Sequence, residues 1–132
     1  MKNFKQEHKK EIEALLKISQ QNLTDAKALL KSGGYRSAIS RAYYMFLDLA
    51  KAALLTEGII IKSHTGAVTN FAETFVKRGL IKGDYGRAFR RALEIRFEAD
   101  YEALHEFTKE EAEEVIKEAE EFLEEVKNKI FN

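Results

Sequence analysis

The absence of proline most constrains what this chain can fold into. None of its 132 residues is proline, so no residue type interrupts the hydrogen-bond ladder of an α-helix. Apolar residues recur at steps of three and four, which places them on one face of a helix. The alternation with a period of two that is typical of half-buried strands does not occur. The sequence therefore predicts an all-α fold.

Five amphipathic segments predict five helices. Their expected bounds are Gln6–Lys31, Tyr35–Glu57, Ser63–Gly79, a fourth helix from Asp84 and a fifth from Thr108. Ser63 and Asp84 are good N-cap residue types, and Thr108 with Glu111 forms a capping-box pattern. We expect an antiparallel up-and-down helical bundle of four long helices plus one shorter helix, forming one domain over residues 1–132.

The second predicted helix is apolar nearly all round between Ala38 and Leu55. Such a helix is covered on most sides, either as the centre of the bundle or with one face in the bundle and another in a subunit interface. The fourth helix presents a face of small residues that permits close approach of another helix. We therefore expect a homodimer, formed through the second or the fourth helix.

The composition excludes several kinds of site and address. The chain has no cysteine, which removes disulfides, zinc thiolates and cysteine nucleophiles. No apolar run follows Met1–Lys10, so no signal peptide is expected. The longest aliphatic cluster, Ile59–Ile61, is far too short to span a membrane. A cytoplasmic protein without a membrane association is expected. Glu102 and His105 form a single Glu-x-x-His, whereas di-iron bundles use two, so neither a metal nor a cofactor is predicted.

The net charge of zero hides an uneven distribution of charge. Basic residues dominate Lys77–Arg91, and glutamates dominate Glu106–Glu125. The two stretches are either solvated helix faces of opposite sign or, in the case of the basic one, a surface that attracts phosphate. The candidate phosphate-binding residues are Arg87, Arg90 and Arg91.

Polar side chains also occur inside otherwise apolar helices. The candidate ligand-binding residues are Arg41, Tyr44, Asp48, His64, Arg96, Asp100 and Tyr101, and the candidate catalytic residues among them are Arg96, Asp100 and His64. Arg96 and Asp100 are four residues apart and can pair on one helix face. We expect this pair to be buried and mutually dependent. The polar residues fix the helix register, form a cleft for a phosphate or a base with Arg96 and Arg41 as donors, or contact a second subunit.

Three motifs together resemble a known family. Ser37–Tyr44 reads Ser-Ala-Ile-Ser-Arg-Ala-Tyr-Tyr, Lys62–Gly66 reads Lys-Ser-His-Thr-Gly, and Arg96–Tyr101 reads Arg-x-x-x-Asp-Tyr. In this order and spacing they are similar to the HEPN domain, and specifically to the short proteins often encoded beside a minimal nucleotidyltransferase. The resemblance covers nearly the whole chain. It implies a helical bundle, usually a homodimer, that works with a nucleotidyltransferase partner in toxin–antitoxin or related systems.

The resemblance also implies a departure from the family's usual ribonuclease motif. Many HEPN domains cleave RNA without a metal, using an Arg followed after four to six residues by a His. Here eight residues separate Arg96 from His105, and Asp100-Tyr101 stands where the His would fall. Three functions remain open. They are binding of nucleotide, RNA or the partner without the usual catalysis, a ribonuclease with a rearranged site in which the fold brings His64 to Arg96, and a purely structural oligomeric bundle.

Overall fold

The structure, a computed structural model, describes residues 3–131, and all of its regular elements are helical. They are α1 (Phe4–Glu7), α2 (Lys9–Ser32), α3 (Tyr35–Leu55), α4 (His64–Phe71), α5 (Gly83–Tyr101) and α6 (Lys109–Val126). One π-helical turn, Ala72–Val76, continues α4, and another, Lys127–Phe131, continues α6. The all-α prediction is confirmed, with four long helices and the shorter α4. The predicted first helix, Gln6–Lys31, is interrupted at His8, which separates the four-residue α1 from α2.

Helix α3 lies at the centre of the bundle and contacts α2, α4, α5 and α6. Thirteen of its residues are buried, which explains why the sequence is apolar nearly all round. A single chain therefore covers α3. This agrees with the first alternative, in which the helix is the centre of the bundle. Helices α2, α4, α5 and α6 need only one apolar stripe each, because each packs against α3 from one side.

The helix ends show which local signals set the bounds. Gly33 ends α2 in the left-handed conformation, with φ of 87°, which glycine adopts without steric cost. Ser63 and Thr108 cap α4 and α6 as expected, and Thr108 forms the full capping box with Glu111. The prediction that Asp84 caps α5 is wrong. The helix begins at Gly83, after an extended Lys82, and the carboxylate of Asp84 in the first turn pairs with Arg87 instead.

Four phenylalanines from α3, α4, α5 and α6 form the aromatic centre of the core. The four are Phe46, Phe71, Phe89 and Phe122, and none is exposed. The ring of Phe122 lies 4.8 Å from Phe46 and 5.1 Å from Phe71. Rings at these separations are in direct contact. The four side chains therefore fix the relative positions of α3, α4, α5 and α6 next to the polar residues of α3 and α5.

No helix within residues 3–131 is both long enough and apolar enough to cross a bilayer.

Candidate functional site

Arg96 is the centre of a polar cluster between α3 and α5. Its Nη2 lies 2.9 Å from a carboxylate oxygen of Asp100, one turn further along α5. The same nitrogen donates to the hydroxyl of Tyr44 on α3, at 3.0 Å. The guanidinium carbon lies 5.5 Å from the ring centroids of both Tyr43 and Tyr44, within the range of a cation–π contact. The arginine is therefore held by two rings and by one of its three nitrogens.

The Arg96–Asp100 pair is only partly buried. The side chain of Arg96 is 18% exposed and that of Asp100 is 34% exposed, so the pair is less buried than we expected. The carboxylate lies on the last turn of α5, where the helix emerges from the bundle. Nε of Arg96 is buried without an acceptor, and Nη1 forms no hydrogen bond within residues 3–131. The guanidinium thus keeps two nitrogens without an acceptor, a buried Nε and an Nη1 that is not buried.

His64 joins the same cluster through Tyr43. Its Nδ1 lies 2.6 Å from the hydroxyl of Tyr43, and the two rings stack with centroids 5.7 Å apart. The imidazole also meets the ring of Tyr44 edge-on, at 6.3 Å. His64 and Arg96 therefore contact the same two tyrosine rings. The fold brings together two residues that lie 32 positions apart in the sequence.

The surroundings of these rings hold their protons in defined states. Burial lowers the pKa of His64, and the positive charges of Arg96 and Lys51 lower it further, whereas Asp100 opposes them. The imidazole is therefore neutral near pH 7. Burial also raises the pKa of Tyr43, so its hydroxyl stays protonated. With Nδ1 occupied by this hydroxyl, Nε2 is the nitrogen that His64 can offer to a ligand.

The start of α4 fixes the backbone of His64. Ser63 Oγ accepts a hydrogen bond from the backbone N–H of Gly66 at 2.9 Å. A Cβ at position 66 would lie 2.6 Å from that oxygen. Any residue other than glycine would therefore push the capping hydroxyl aside. The Lys-Ser-His-Thr-Gly segment is thus a helix start that places His64 in the first turn, directly against Tyr43.

Arg36 closes the other end of the cluster, and its role was not predicted. From the first turn of α3 its guanidinium donates to the carbonyl oxygens of Ala99, Glu102 and His105 and lies 5.1 Å from the ring centroid of Phe107. It satisfies the carbonyls at the end of α5. Because Asp100 is on that last turn, Arg36 sets the position from which Asp100 reaches Arg96.

The other candidate residues of α3 and α5 lie outside this cluster. Arg41 is exposed and forms no hydrogen bond or ion pair within the described chain. Asp48 faces α2, where it accepts a hydrogen bond from Asn22 Nδ2 at 3.1 Å, and burial raises its pKa to about 6. Tyr101 is 70% exposed, with its ring 4.6 Å from that of Phe97. Of the predicted set, only Tyr44, His64, Arg96 and Asp100 come together.

The basic stretch is partly neutralised by acidic side chains of the same chain. Arg87 pairs with Asp84, and Arg91 pairs with Glu118 of α6. These side chains line an open cleft of about 380 Å³ that also contains Lys82, Tyr85 and Glu121. Arg90 is exposed. The acidic residues of α6 thus face the basic residues of α5 directly.

His105 belongs to a different part of the surface. Its Nε2 lies 3.7 Å from a carboxylate oxygen of Glu111, and its ring packs on Phe107 at 4.4 Å. Within residues 3–131, no three His, Asp or Glu side chains are grouped closely enough to hold a metal ion.

The fold and the cluster together define a helical bundle with an arginine, a carboxylate and a histidine gathered around two tyrosines. The family model of the HEPN domain matches residues 12–129, so this chain belongs to the HEPN domain family.

Related proteins match over most of their length. A Methanocaldococcus jannaschii protein named "putative toxin" is 41% identical over 119 residues, which cover 90% of this chain and 88% of that protein. A second protein of that organism with the same description is 34% identical over 120 residues, covering 91% and 82%. A Thermotoga maritima protein named "UPF0332 protein" is 35% identical over 124 residues, 94% of each chain. This chain is thus similar over nearly its whole length to two proteins named as putative toxins and to one UPF0332 protein.

Proposed function

We propose that the protein is the toxin-like member of a two-protein system, that its partner is a nucleotidyltransferase, and that it binds RNA or nucleotide phosphate at the Arg96 cluster. The names of two relatives support the toxin-like role. The resemblance of the three sequence motifs supports the partner. An RNA target agrees with a cytoplasmic location, which we include in the proposal.

One observation carries the phosphate-binding role, namely that Arg96 is held through Nη2 alone. Two tyrosine rings fix the plane of the guanidinium, so little side-chain entropy remains to be lost when a ligand binds. Nη1, which has no hydrogen-bond partner within residues 3–131, can then donate its two hydrogens to a phosphate. Charge-assisted hydrogen bonds of guanidinium groups to phosphate are among the strong ones in proteins.

Fluorescence anisotropy with a labelled single-stranded oligouridylate tests this role. Replacing Arg96 by Gln removes a charge-assisted contact worth about 1.5–3 kcal/mol, so the affinity should fall roughly 10- to 100-fold. Lys27→Gln is the matched control, because it removes one positive charge from an exposed pair with Glu120 on the α2–α6 surface. Equal losses in the two variants, at unchanged melting temperature, would show that only overall charge matters.

A metal-independent ribonuclease is a second candidate, and the contact of His64 with Tyr43 is the observation that favours it. In this reaction the 2′-hydroxyl attacks the adjacent phosphorus, the bond to the 5′-oxygen breaks, and a 2′,3′-cyclic phosphate and a 5′-hydroxyl form. In the tautomer whose Nδ1–H donates to the hydroxyl oxygen of Tyr43, neutral His64 can take the proton of the 2′-hydroxyl at Nε2, and water protonates the departing 5′-oxygen. Arg96 can stabilise the extra negative charge on the phosphorus oxygens.

Cleavage of the same RNA in EDTA tests the second candidate. His64→Gln should abolish cleavage, and His105→Gln should leave it unchanged because His105 pairs with Glu111 away from the cluster. Wild-type protein that binds the RNA but leaves it intact for hours would reject the ribonuclease and keep the binding role.

We also propose a homodimer, formed through the end of α5. Phe97, Tyr101 and Leu104 are 59%, 70% and 98% exposed, and large exposed apolar patches usually mark interfaces. They adjoin Arg96 and Asp100, so the two clusters of a dimer would lie near the same interface. Sedimentation should give twice the 15.2 kDa of one chain, and Tyr101→Glu should give the monomer. A monomeric wild type at micromolar concentration would contradict the dimer.

A further inference from the structure

A small notch adjoins His64, between the second half of α3 and the start of α4. It is lined by Leu47, Lys51, Ile61, Lys62, Ser63 and His64, and its volume is about 110 Å³. Since roughly 10–15 Å³ of such space is enough for one water molecule, the notch has room for several waters or for one tetrahedral oxyanion. It is well below the ~300 Å³ at which pockets for organic ligands begin. The size alone selects a small group.

The charge of the notch selects an anion. Lys51 and Lys62 both line it, and no carboxylate does. Lys51 is half-buried, and within residues 3–131 it forms no ion pair shorter than 4 Å, although its charge acts on Asp48. Leu47 and Ile61 supply apolar walls, which lower the local dielectric constant and strengthen the attraction between an ammonium group and an anion.

Ser63 adds an oriented hydroxyl donor. Its Oγ accepts from the N–H of Gly66, so the hydroxyl proton remains free to donate to a ligand. The oxygen stays in place only because residue 66 has no Cβ. The Lys-Ser-His-Thr-Gly segment therefore builds one wall of the notch from an ammonium group, a hydroxyl and an imidazole.

We propose that this notch binds a second phosphate of the RNA chain whose neighbouring phosphate lies at Arg96, with His64 between the two. The inference rests on the proposed function and adds the residues Lys51, Lys62 and Ser63 to the binding surface. It also resolves a difficulty of the Arg96 site. Arg96 and Asp100 together carry no net charge, and the two lysines supply the positive charge that attracts a polyanion.

The dependence of RNA affinity on salt measures each phosphate contact. For a single strand, the slope of log affinity against log salt falls by about 0.7 for each contact that is lost. With the labelled oligouridylate, Lys62→Gln and Lys51→Gln should each reduce the slope by part of this amount and weaken binding several-fold at low salt, and the double variant should reduce it by about 0.7. Lys27→Gln should leave the slope unchanged. Lys62 is exposed, so its variant should fold even if Lys51→Gln does not.

The outcomes separate this inference from the proposed function. If both lysine variants keep the wild-type slope while Arg96→Gln weakens binding, the notch inference is wrong and the proposed function stands. If Arg96→Gln has no effect but the lysine variants do, the role of Arg96 fails, and the bridging arrangement fails with it. If the wild type binds inorganic phosphate through Lys62 but its RNA affinity does not depend on Lys62, the notch holds free phosphate, which also overturns the inference.

Discussion

Arg91 and Arg96 lie on the same helix, about 7.5 Å apart along its axis, in different surroundings. Arg91 and its neighbour Arg87 extend over the surface, where 52% and 66% of their side chains are exposed, and each meets a carboxylate. Arg96 turns inward onto Tyr43 and Tyr44 and is 18% exposed. Interactions of a charge are stronger in the less polar surroundings. A count of basic residues in the sequence favours Arg87 and Arg91 as the phosphate site. The packing of α5 on α3 favours Arg96 instead.

Phe89 lies in the core near Tyr43, whose ring contacts Arg96. Its removal should have the largest effect on the free energy of unfolding. Its buried ring lies 5.8 Å from Phe46 and 6.4 Å from Tyr43. Phe89→Ala should lower the free energy of unfolding by about 3–5 kcal/mol, measured by urea denaturation. Ile60→Ala, at an exposed position outside the core and outside the proposed dimer interface, should change it by less than about 0.5 kcal/mol. Equal costs would mean that Phe89 is not part of the core.

Double-mutant cycles compare the two ion pairs directly. The coupling between Arg96 and Asp100 should be about 1–2 kcal/mol, between the values for surface pairs and for buried pairs. The coupling between Arg91 and Glu118 should be below about 1 kcal/mol, because the arginine is half exposed. The variants are Arg96→Met, Asp100→Asn, Arg91→Met and Glu118→Gln, each pair with its double variant. A larger coupling for the surface pair would reverse the comparison.

Asp48, which faces α2 outside the Arg96 cluster, makes the stability of the protein depend on pH. Burial raises its pKa from 3.8 to about 6, so between these values the folded chain holds this proton more tightly than the unfolded chain. Its contribution to stability therefore increases as pH falls from about 6 to about 4, and above pH 6 the ionised carboxyl is destabilising in full.

Asp48→Asn should consequently stabilise the protein at pH 7 by about 1 kcal/mol, since solvent screening reduces the full effect of the pKa shift at a half-buried group. The advantage should disappear near pH 4. Thermal melts of both proteins from pH 4 to pH 7 give the difference directly, because His64 titrates in both. Parallel curves would show that the carboxyl of Asp48 is not destabilised by burial.

The smallest effect is expected for the surface arginines. Arg87 and Arg91 already have acidic partners, so replacing Arg87, Arg90 and Arg91 together by Gln should reduce the salt slope of RNA binding by at most about 0.7, from Arg90 alone. A decrease of the slope that corresponds to two or three lost phosphate contacts would instead identify the basic stretch as the phosphate-binding surface.

The sequence predicted those features that depend on local pattern. The central place of α3, the starts at Ser63 and Thr108 and the end at Gly33 follow from apolar spacing and cap chemistry. The predicted start of α5 at Asp84 was wrong, because a carboxylate can either cap a helix or pair with an arginine three residues further along.

The contacts between helices could not be predicted. Arg36 bonds to backbone carbonyls, which leave no signature in the sequence. Tyr43 was counted as an apolar residue of α3, although its hydroxyl connects His64 to the cluster. Arg41 shares a helix face with Tyr44 by spacing, yet it lies far enough around α3 to point into solvent.

The titration of the three histidines tests most directly whether phosphate binds at the Arg96 cluster. Proton NMR follows His8, His64 and His105 separately, with and without the oligouridylate. A phosphate beside His64 favours its charged form, so RNA should raise the pKa of His64 from its lowered value. RNA that binds without changing the pKa of His64 would contradict a phosphate site at Arg96.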